Sequence, residues 1–428
     1  MIYKLQIERS KLNSLMDMAS KAVAKKTTNP ILSGFKFSVK NKDLHLYATD
    51  LQTAFHGVIK NIIFEQVEKI TDDLFEPERK EVDSEIDDET AIQEEKTEDS
   101  VENNDETLFP ELSEDSSKDN IKPDFVVEAT YFMDIIKNLS FETVDIYLEN
   151  KNIKVMAGKS EFLLPTMDPE EFPEIVPNKA EEGIITFERQ KLLSMIEKVI
   201  FCALRDSENV SRNLNGIYWD FREGGYLTLV AADGYRLALA ELSMDIVNTP
   251  PSFLLSLKSM EELLNVLRGS KTENVDLFFD GARVLFFLDD DKIEIILNVV
   301  DATFPDYVRI IPQAFKTKVI TSTDLFLKVL KRVSIAAKND QVKMEIKDDI
   351  MELTAKSPEV GLAVEELEID KEGEDILIAY SPKYLREAID HIGTSEVEFN
   401  ITSESSQTMI KPVGDDSYMY IVMPVRLK

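Results

Sequence analysis

Hydrophobic and polar positions along the chain follow one pattern that is laid down three times. Leu12, Leu15, Met16, Ala19, Ala22 and Val23 recur at helical spacing and predict a helix over 8–26. Thr27-Thr28-Asn29-Pro30 ends it, because proline disfavours helix in the residue before it. Alternation then predicts strands at 31–39 and 44–49. The opening returns at 186–205, where FERQKLLSMI stands against IERSKLNSLM, and again from Ser322-Thr323-Asp324-Leu325 to about 338. In each copy a second, shorter helix follows, at 131–139, 258–267 and 381–392, with further short strands around it. The copy starts lie about 180 and 135 residues apart, so the chain reads as six similar half-units in three tandem copies.

The most strongly patterned stretch is 227–239, LTLVAADGYRLAL. A strand runs into Asp233-Gly234, where glycine supplies a backbone angle that other residues resist, and a second strand leaves. Ala48-Thr49-Asp50-Leu51 echoes that turn in the first copy. Proline-bearing stretches close the first two copies, Phe172-Pro173 within 168–177 and Phe304-Pro305-Asp306-Tyr307. The predicted organisation is α+β in three domains, 1–180, 181–314 and 315–428.

Composition changes this picture at one place. Over 72–120 there are 21 acidic residues against four basic ones, a local net charge of −17 within a chain total of −32. Such a run repels itself and lacks the apolar content for a core, so it is expected to be a disordered acidic insertion within the first domain. The rest of the chain carries about −15. One cysteine, Cys202, cannot form an internal disulfide, and three histidines show no metal-ligand spacing. No run is apolar enough to span a bilayer and MIYKLQIERSKL lacks the apolar run of a secretory signal, so a cytoplasmic protein without a membrane partner is expected.

An acidic chain is a poor match for nucleic acid until the charge is located. Lys11, Lys21, Lys25 and Lys26 follow the first helical pattern, Lys191, Lys198 and Arg205 the second, and Lys328, Lys331, Arg332 and Lys338 the third. Lysine-rich helix faces often serve solubility alone, but here the basic positions recur in all three copies. Catalysis finds little support: there is no GxSxG and no phosphate-cradling glycine-rich loop, and the carboxylates mostly stand in runs suited to solvated faces. No catalytic residue, metal or cofactor is expected. Two other classes stay open on these residues, a repeat-built interaction scaffold that does not encircle DNA, and an enzyme using Asp233 and Arg236.

Five stretches together carry a family resemblance. They are the turn 230–238 (VAADGYRLA), Asn29-Pro30-Ile31-Leu32, Arg212-Asn213-Leu214-Asn215-Gly216, Phe304-Pro305-Asp306-Tyr307 and Val422-Met423-Pro424-Val425-Arg426-Leu427. In order and spacing they resemble the bacterial sliding clamp, the β subunit of DNA polymerase III, over the whole chain except the acidic insertion. The resemblance implies a head-to-tail homodimer closed into a ring, helices inside and sheets outside, threaded by duplex DNA without sequence readout. It implies no catalysis, only tethering of the replicative polymerase, with the clamp loader and other motif-bearing proteins as further partners. The implied partner-peptide cleft comprises Arg212, Leu214, Gly234, Tyr235, Arg236, Leu237, Pro305, Arg309, Ile310, Ile421, Met423 and Pro424, with arginines at its rim. Tyr235 and Ala232 stand where the family commonly has His and Thr. The implied DNA-facing residues are Lys25, Lys26, Arg205, Asn209, Lys258 and Lys338, and the implied dimer contact is Ile335 with Ala336.

Overall fold

The computed structural model describes residues 2–67, 123–149, 151–175, 183–205, 213–244, 250–288, 290–337 and 340–427. Each half-unit is a lead strand, a helix and a meander of at least three strands. The first domain has β1 (Ile2–Glu8), α1 (Arg9–Ala19), β2 (Gly34–Lys40), β3 (Asp43–Thr49), β4 (Thr53–Ile59) and β5 (Ile63–Val67), then β6 (Phe125–Glu128), α2 (Ala129–Asn138), β7 (Thr143–Glu149), β8 (Asn152–Ala157) and β9 (Ser160–Pro165). The second has β10 (Ile185–Glu188), α3 (Arg189–Ile200), β11 (Gly216–Arg222), β12 (Tyr226–Ala232) and β13 (Arg236–Ser243), then β14 (Phe253–Ser256), α4 (Leu257–Gly269), β15 (Asn274–Phe279), β16 (Arg283–Leu288) and β17 (Ile293–Asn298). The third has β18 (Thr317–Ser322), α5 (Thr323–Val333), β19 (Val342–Lys347), β20 (Ile350–Ser357), β21 (Gly361–Glu368) and β22 (Asp370–Gly373), then β23 (Ile376–Tyr380), α6 (Pro382–Asp390), β24 (Glu396–Ile401), β25 (Thr408–Pro412) and β26 (Tyr418–Val422).

The lead strands tie the halves of each domain together. Each pairs with the meander of the other half: β1 with β7 and β6 with β2, β10 with β15 and β14 with β11, β18 with β24 and β23 with β19. Helix pairs pack under these sheets, and the apolar faces of all six helices join one continuous buried core. Between domains, the last full meander strand of one half pairs antiparallel with its counterpart. Thus β4 pairs with β17, and β13 pairs with β26. The results are an eight-stranded sheet shared by the first and second domains and a nine-stranded sheet shared by the second and third. A five-stranded sheet ending in β9 and a four-stranded sheet ending in β21 remain at the two ends.

Several elements differ from the sequence reading, for identifiable reasons. The lead strands β1, β10 and β18 run straight into their helices with no turn residue between, so the helical period masks them. Helix α1 stops at Ala19, not near 26: Ala22 and Val23 keep helical spacing because the following turn buries them, with the Ala22 amide donating to the Ala19 carbonyl. Helices α3 and α5 likewise end at Ile200 and Val333. The segment expected to begin a strand at 31 starts with a short 3-10 turn, Pro30–Ser33, capped by the Asn29 side chain. The acidic stretch 72–120 lies outside the described residues.

The two domain junctions are built on one plan with one substitution. Asp233 Oδ1 accepts from the amides of Tyr235 (2.9 Å) and Arg236 (3.1 Å), and Asp50 Oδ1 accepts from those of Gln52 (3.0 Å) and Thr53 (2.8 Å). Gly234 sits at φ 91° in the first turn and Leu51 takes the equivalent position at φ 73°. Three residues after each aspartate the copies diverge. Arg236 extends across its junction to Glu387 on α6, six residues beyond the Ser381 cap. Its counterpart Thr53 reaches only Ser259, at 3.4 Å. Glu262, six residues beyond the Ser256 cap of α4, is therefore fully buried with neither carboxyl oxygen partnered among the described residues.

Burial pushes the Glu262 carboxyl up to about 8, while Lys258 and Lys21 pull it down. Between the ordinary glutamate value of 4.5 and about 8, the folded protein holds a proton that the unfolded chain has released. Stability contributed by this group accordingly falls as pH rises through that window. Glu262→Gln keeps the shape and removes the titration. Thermal denaturation from about pH 5 to about pH 8 should show a shallower decline in Tm for the variant than for the parent.

Candidate functional site

The β12–β13 turn carries the residues that line an apolar groove at the junction of the second and third domains. The groove encloses about 240 Å³ and is walled by Leu214, Ala232, Gly234, Tyr235, Arg236, Leu237, Phe304, Pro305, Tyr307, Ile310, Ile421 and Met423. Four separate segments supply it. The hairpin gives the floor; β26 adds Ile421 through its pairing with Leu237, and the Met423 amide donates to the Tyr235 carbonyl at 2.9 Å. Phe304 stacks on Tyr218 with ring centroids 5.1 Å apart and holds the exit loop over the hairpin. Tyr307 is pinned by its hydroxyl, which donates to Asp220 Oδ2 at 2.6 Å and receives from Arg222. Tyr235, Ile310 and Met423 stay exposed at the mouth, where a polarizable methionine and an aromatic ring accept varied apolar side chains.

Nine of the twelve residues implied for a peptide cleft are thus brought together. Arg212 lies outside the described residues. Arg309 points to solvent, paired with Asp306 at 2.7 Å, and Pro424 follows the last lining residue without joining the wall. Arg236 requires a correction, since it was expected at the rim. Its guanidinium is buried: Nε donates to Asp233 at 2.9 Å, Nη1 pairs with Glu387, Nη2 donates to the Phe201 carbonyl at 3.0 Å, and the Tyr384 ring lies 4.4 Å away. Only its remaining surface meets the groove, and its charge serves the junction. Phe304 and Tyr307 complete the wall; both stand in the Phe304–Tyr307 motif, whose conspicuous aromatic pair was the available signal.

The basic residues divide. Lys25 and Lys26 are exposed in the turn after α1 and form no ion pair among the described residues. Arg205 and Lys258 line one polar cavity of about 470 Å³ at the first junction, yet each already faces an acid, Glu261 and Asp50 respectively. Asn209 and Lys338 lie outside the described residues. Other helix cations are also matched: Lys11 by Glu8, Lys191 by Glu188, Lys328 by Asp324 and Arg332 by Glu365. Ile335 is 66% exposed beside β21, whereas Ala336 is 2% exposed and packs into its own domain, so Ala336 offers no surface for a subunit contact. Cys202 is fully buried and its thiol is pushed well up by desolvation, which leaves it unreactive.

Three tandem domains of paired helices beneath shared antiparallel sheets, with an apolar groove at an inner junction, define the architecture of a clamp protein. Comparison with known proteins gives the family. Three models of the DNA polymerase III beta subunit match in order, the N-terminal domain over 3–71 and 83–176, the central domain over 186–306 and the C-terminal domain over 308–426. The beta sliding clamp of Bacillus subtilis is 28% identical over 430 residues, covering 99% of both chains. The crystal structure of the Thermotoga maritima beta subunit superposes with a TM-score of 0.81 at 35% identity, covering 100% of both chains. That of the Bacillus subtilis clamp gives 0.80 at 24% identity over the same full coverage, which supports the fold. The chain belongs to the DNA polymerase III beta subunit family, the sliding clamps that act as processivity factors in DNA replication.

The buried Arg236 network predicts a specific failure. Arg236→Met leaves Asp233 and Glu387 without their cation and should cost about 3–5 kcal/mol by denaturant unfolding. Adding Glu387→Met should recover part of that loss. A single variant as stable as the parent would remove the network from the junction.

Proposed function

We propose that two copies of this chain close head to tail into a ring around duplex DNA and hold the replicative polymerase through the apolar groove. The observation that carries the ring is the order of the sheets. Among the described residues the last full meander strands pair twice, β4 with β17 and β13 with β26, and only β9 and β21 of these strands are left over. Both present apolar side chains to solvent, Phe162 and Leu163 on one, Leu362 and Val364 on the other, with Ile335 beside the second. An open apolar strand edge is a template for further pairing. Pairing β9 of each copy with β21 of the other repeats the internal junction and closes the assembly by rotation.

In that ring the helices face inward, and the free cations Lys25 and Lys26 meet phosphate without base contacts, as sliding requires. The role is topological and non-catalytic, exercised in the cytoplasm; no helix among the described residues is long and apolar enough to cross a membrane. The groove takes the apolar end of a short peptide from the polymerase, the clamp loader or another motif-bearing protein, with Leu214, Ile421 and Met423 as anchors. The domain divisions 1–180, 181–314 and 315–428 fit this assembly.

Ile335→Asp should yield monomers by analytical ultracentrifugation, because closure would bury an unpaired charge. The parent should be retained on closed circular DNA after loading and lost when the circle is cut; equal retention on linear DNA would overturn the ring. Leu214→Ala with Met423→Ala should weaken a clamp-binding peptide by about 2 kcal/mol or more per truncated anchor, with the dimer intact. Unchanged affinity in the folded double variant would displace the peptide from this groove.

A further inference from the structure

The first domain holds a second cavity, of about 280 Å³, under its own exit loop. Lys36, Ser38, Lys40, Tyr47, Asp124, Phe172, Pro173, Glu174 and Ile175 line it. Ser38 is 2% exposed, and its hydroxyl and the buried Oδ1 of Asp124 have no hydrogen-bond partner among the described residues. Leaving such groups unpaired in the interior is costly.

The internal repeat identifies what this arrangement accommodates. Strands β2 and β11 each run seven residues from a glycine, which matches Ser38 with Asp220 and Lys40 with Arg222. Strands β6 and β14 both begin at a phenylalanine, which matches Asp124 with Ser252. The exit loops share Phe-Pro, which matches Ile175 with Tyr307. In the second domain Ser252 donates to Asp220 at 2.9 Å, and the Tyr307 phenol enters between Asp220 and Arg222, donating to the carboxylate at 2.6 Å. The first domain keeps one carboxyl, one hydroxyl and one cation in the corresponding places, with the acid and the serine exchanged. Its loop supplies an isoleucine where the phenol stands, and Ile175 is only partly buried. Lys36 is already taken up by the Pro169 carbonyl and the Phe172 ring, and Lys40 by Tyr47, so the unmatched chemistry is that of Ser38 and Asp124.

We infer that this cavity is a binding site for a phenol, its hydroxyl donating to Asp124 and accepting from Ser38 while its ring lies against Phe172, Pro173 and Ile175. A cavity of about 150 Å³ suffices for a benzene ring, so the space is adequate for the ring and its hydroxyl. The site is separate from the groove at the second junction.

The test uses the full chain with p-cresol, N-acetyltyrosinamide and toluene as probes, followed by NMR shifts and thermal denaturation. p-Cresol should bind with a Kd on the order of 1 mM, ordinary for a ligand of its size, and toluene at least about tenfold more weakly. Ser38→Ala and Asp124→Ala should each narrow that difference between the two probes. Ile175→Tyr should raise Tm and abolish p-cresol binding by placing the chain's own phenol in the cavity. Binding of N-acetyltyrosinamide at similar strength would assign the phenol to a tyrosine side chain of a partner; p-cresol binding without it would assign a free phenol. Equal binding of toluene and p-cresol, or binding that survives Ile175→Tyr in a folded variant, would overturn the proposal. So would no p-cresol binding at 10 mM, on the order of ten times the expected Kd.

Discussion

Strand edges govern this molecule. An antiparallel meander satisfies its interior backbone groups and leaves its outer strands with a row of unpaired donors and acceptors. The chain resolves that constraint at two levels. Inside a domain, the lead strand of each half crosses to cap the sheet of the other. Between domains, terminal meander strands pair with one another, so that two sheets continue across domain boundaries. Domain order, the groove and the two open ends all follow from where those edges meet.

Because the sheets are continuous, the groove is a by-product of a junction and inherits its rigidity. The β13–β26 pairing sets Leu237 beside Ile421, and the hairpin carbonyl of Tyr235 holds the chain on to Met423. Beneath them Arg236 joins the hairpin to α3 and α6 through Phe201 and Glu387. A buried cation so enclosed is costly to strand, which makes the site dependent on polar contacts beneath its apolar wall.

Repetition also shows what each copy has lost or kept. Thr53 in place of Arg236 leaves the buried Glu262 carboxyl without a hydrogen-bond partner at the first junction, and Ile175 in place of Tyr307 leaves the Ser38 hydroxyl and Asp124 Oδ1 unpartnered among the described residues. Such differences are visible only when residues are matched by their places in the fold. They turn an internal comparison into a source of chemistry, since one copy displays the group that another copy's side chains would accept.

The sequence by itself determined the periodic content. The helical stripes of α1, α3 and α5, the Asp-bearing turns at 50 and 233, and the copy spacing follow from side-chain size, polarity and turn chemistry, which act over a few residues. The family could be read from short motifs for the same reason. The lead strands of the first half-units, β1, β10 and β18, were not legible, because nothing local marks where a strand such as Ile2–Glu8 becomes a helix; its pairing with β7 lies some 140 residues away. Nor could the fate of Arg236 be read. A guanidinium beside a turn suits an exposed rim, and only the approach of α6, bringing Glu387 and Tyr384, decided that it is buried. Likewise neighbouring Ile335 and Ala336 face opposite ways because a short 3-10 turn, set by packing on β20 and β21, turns one out and the other in. Local pattern specified which elements exist; the long-range pairing of their edges decided which side chains share a site.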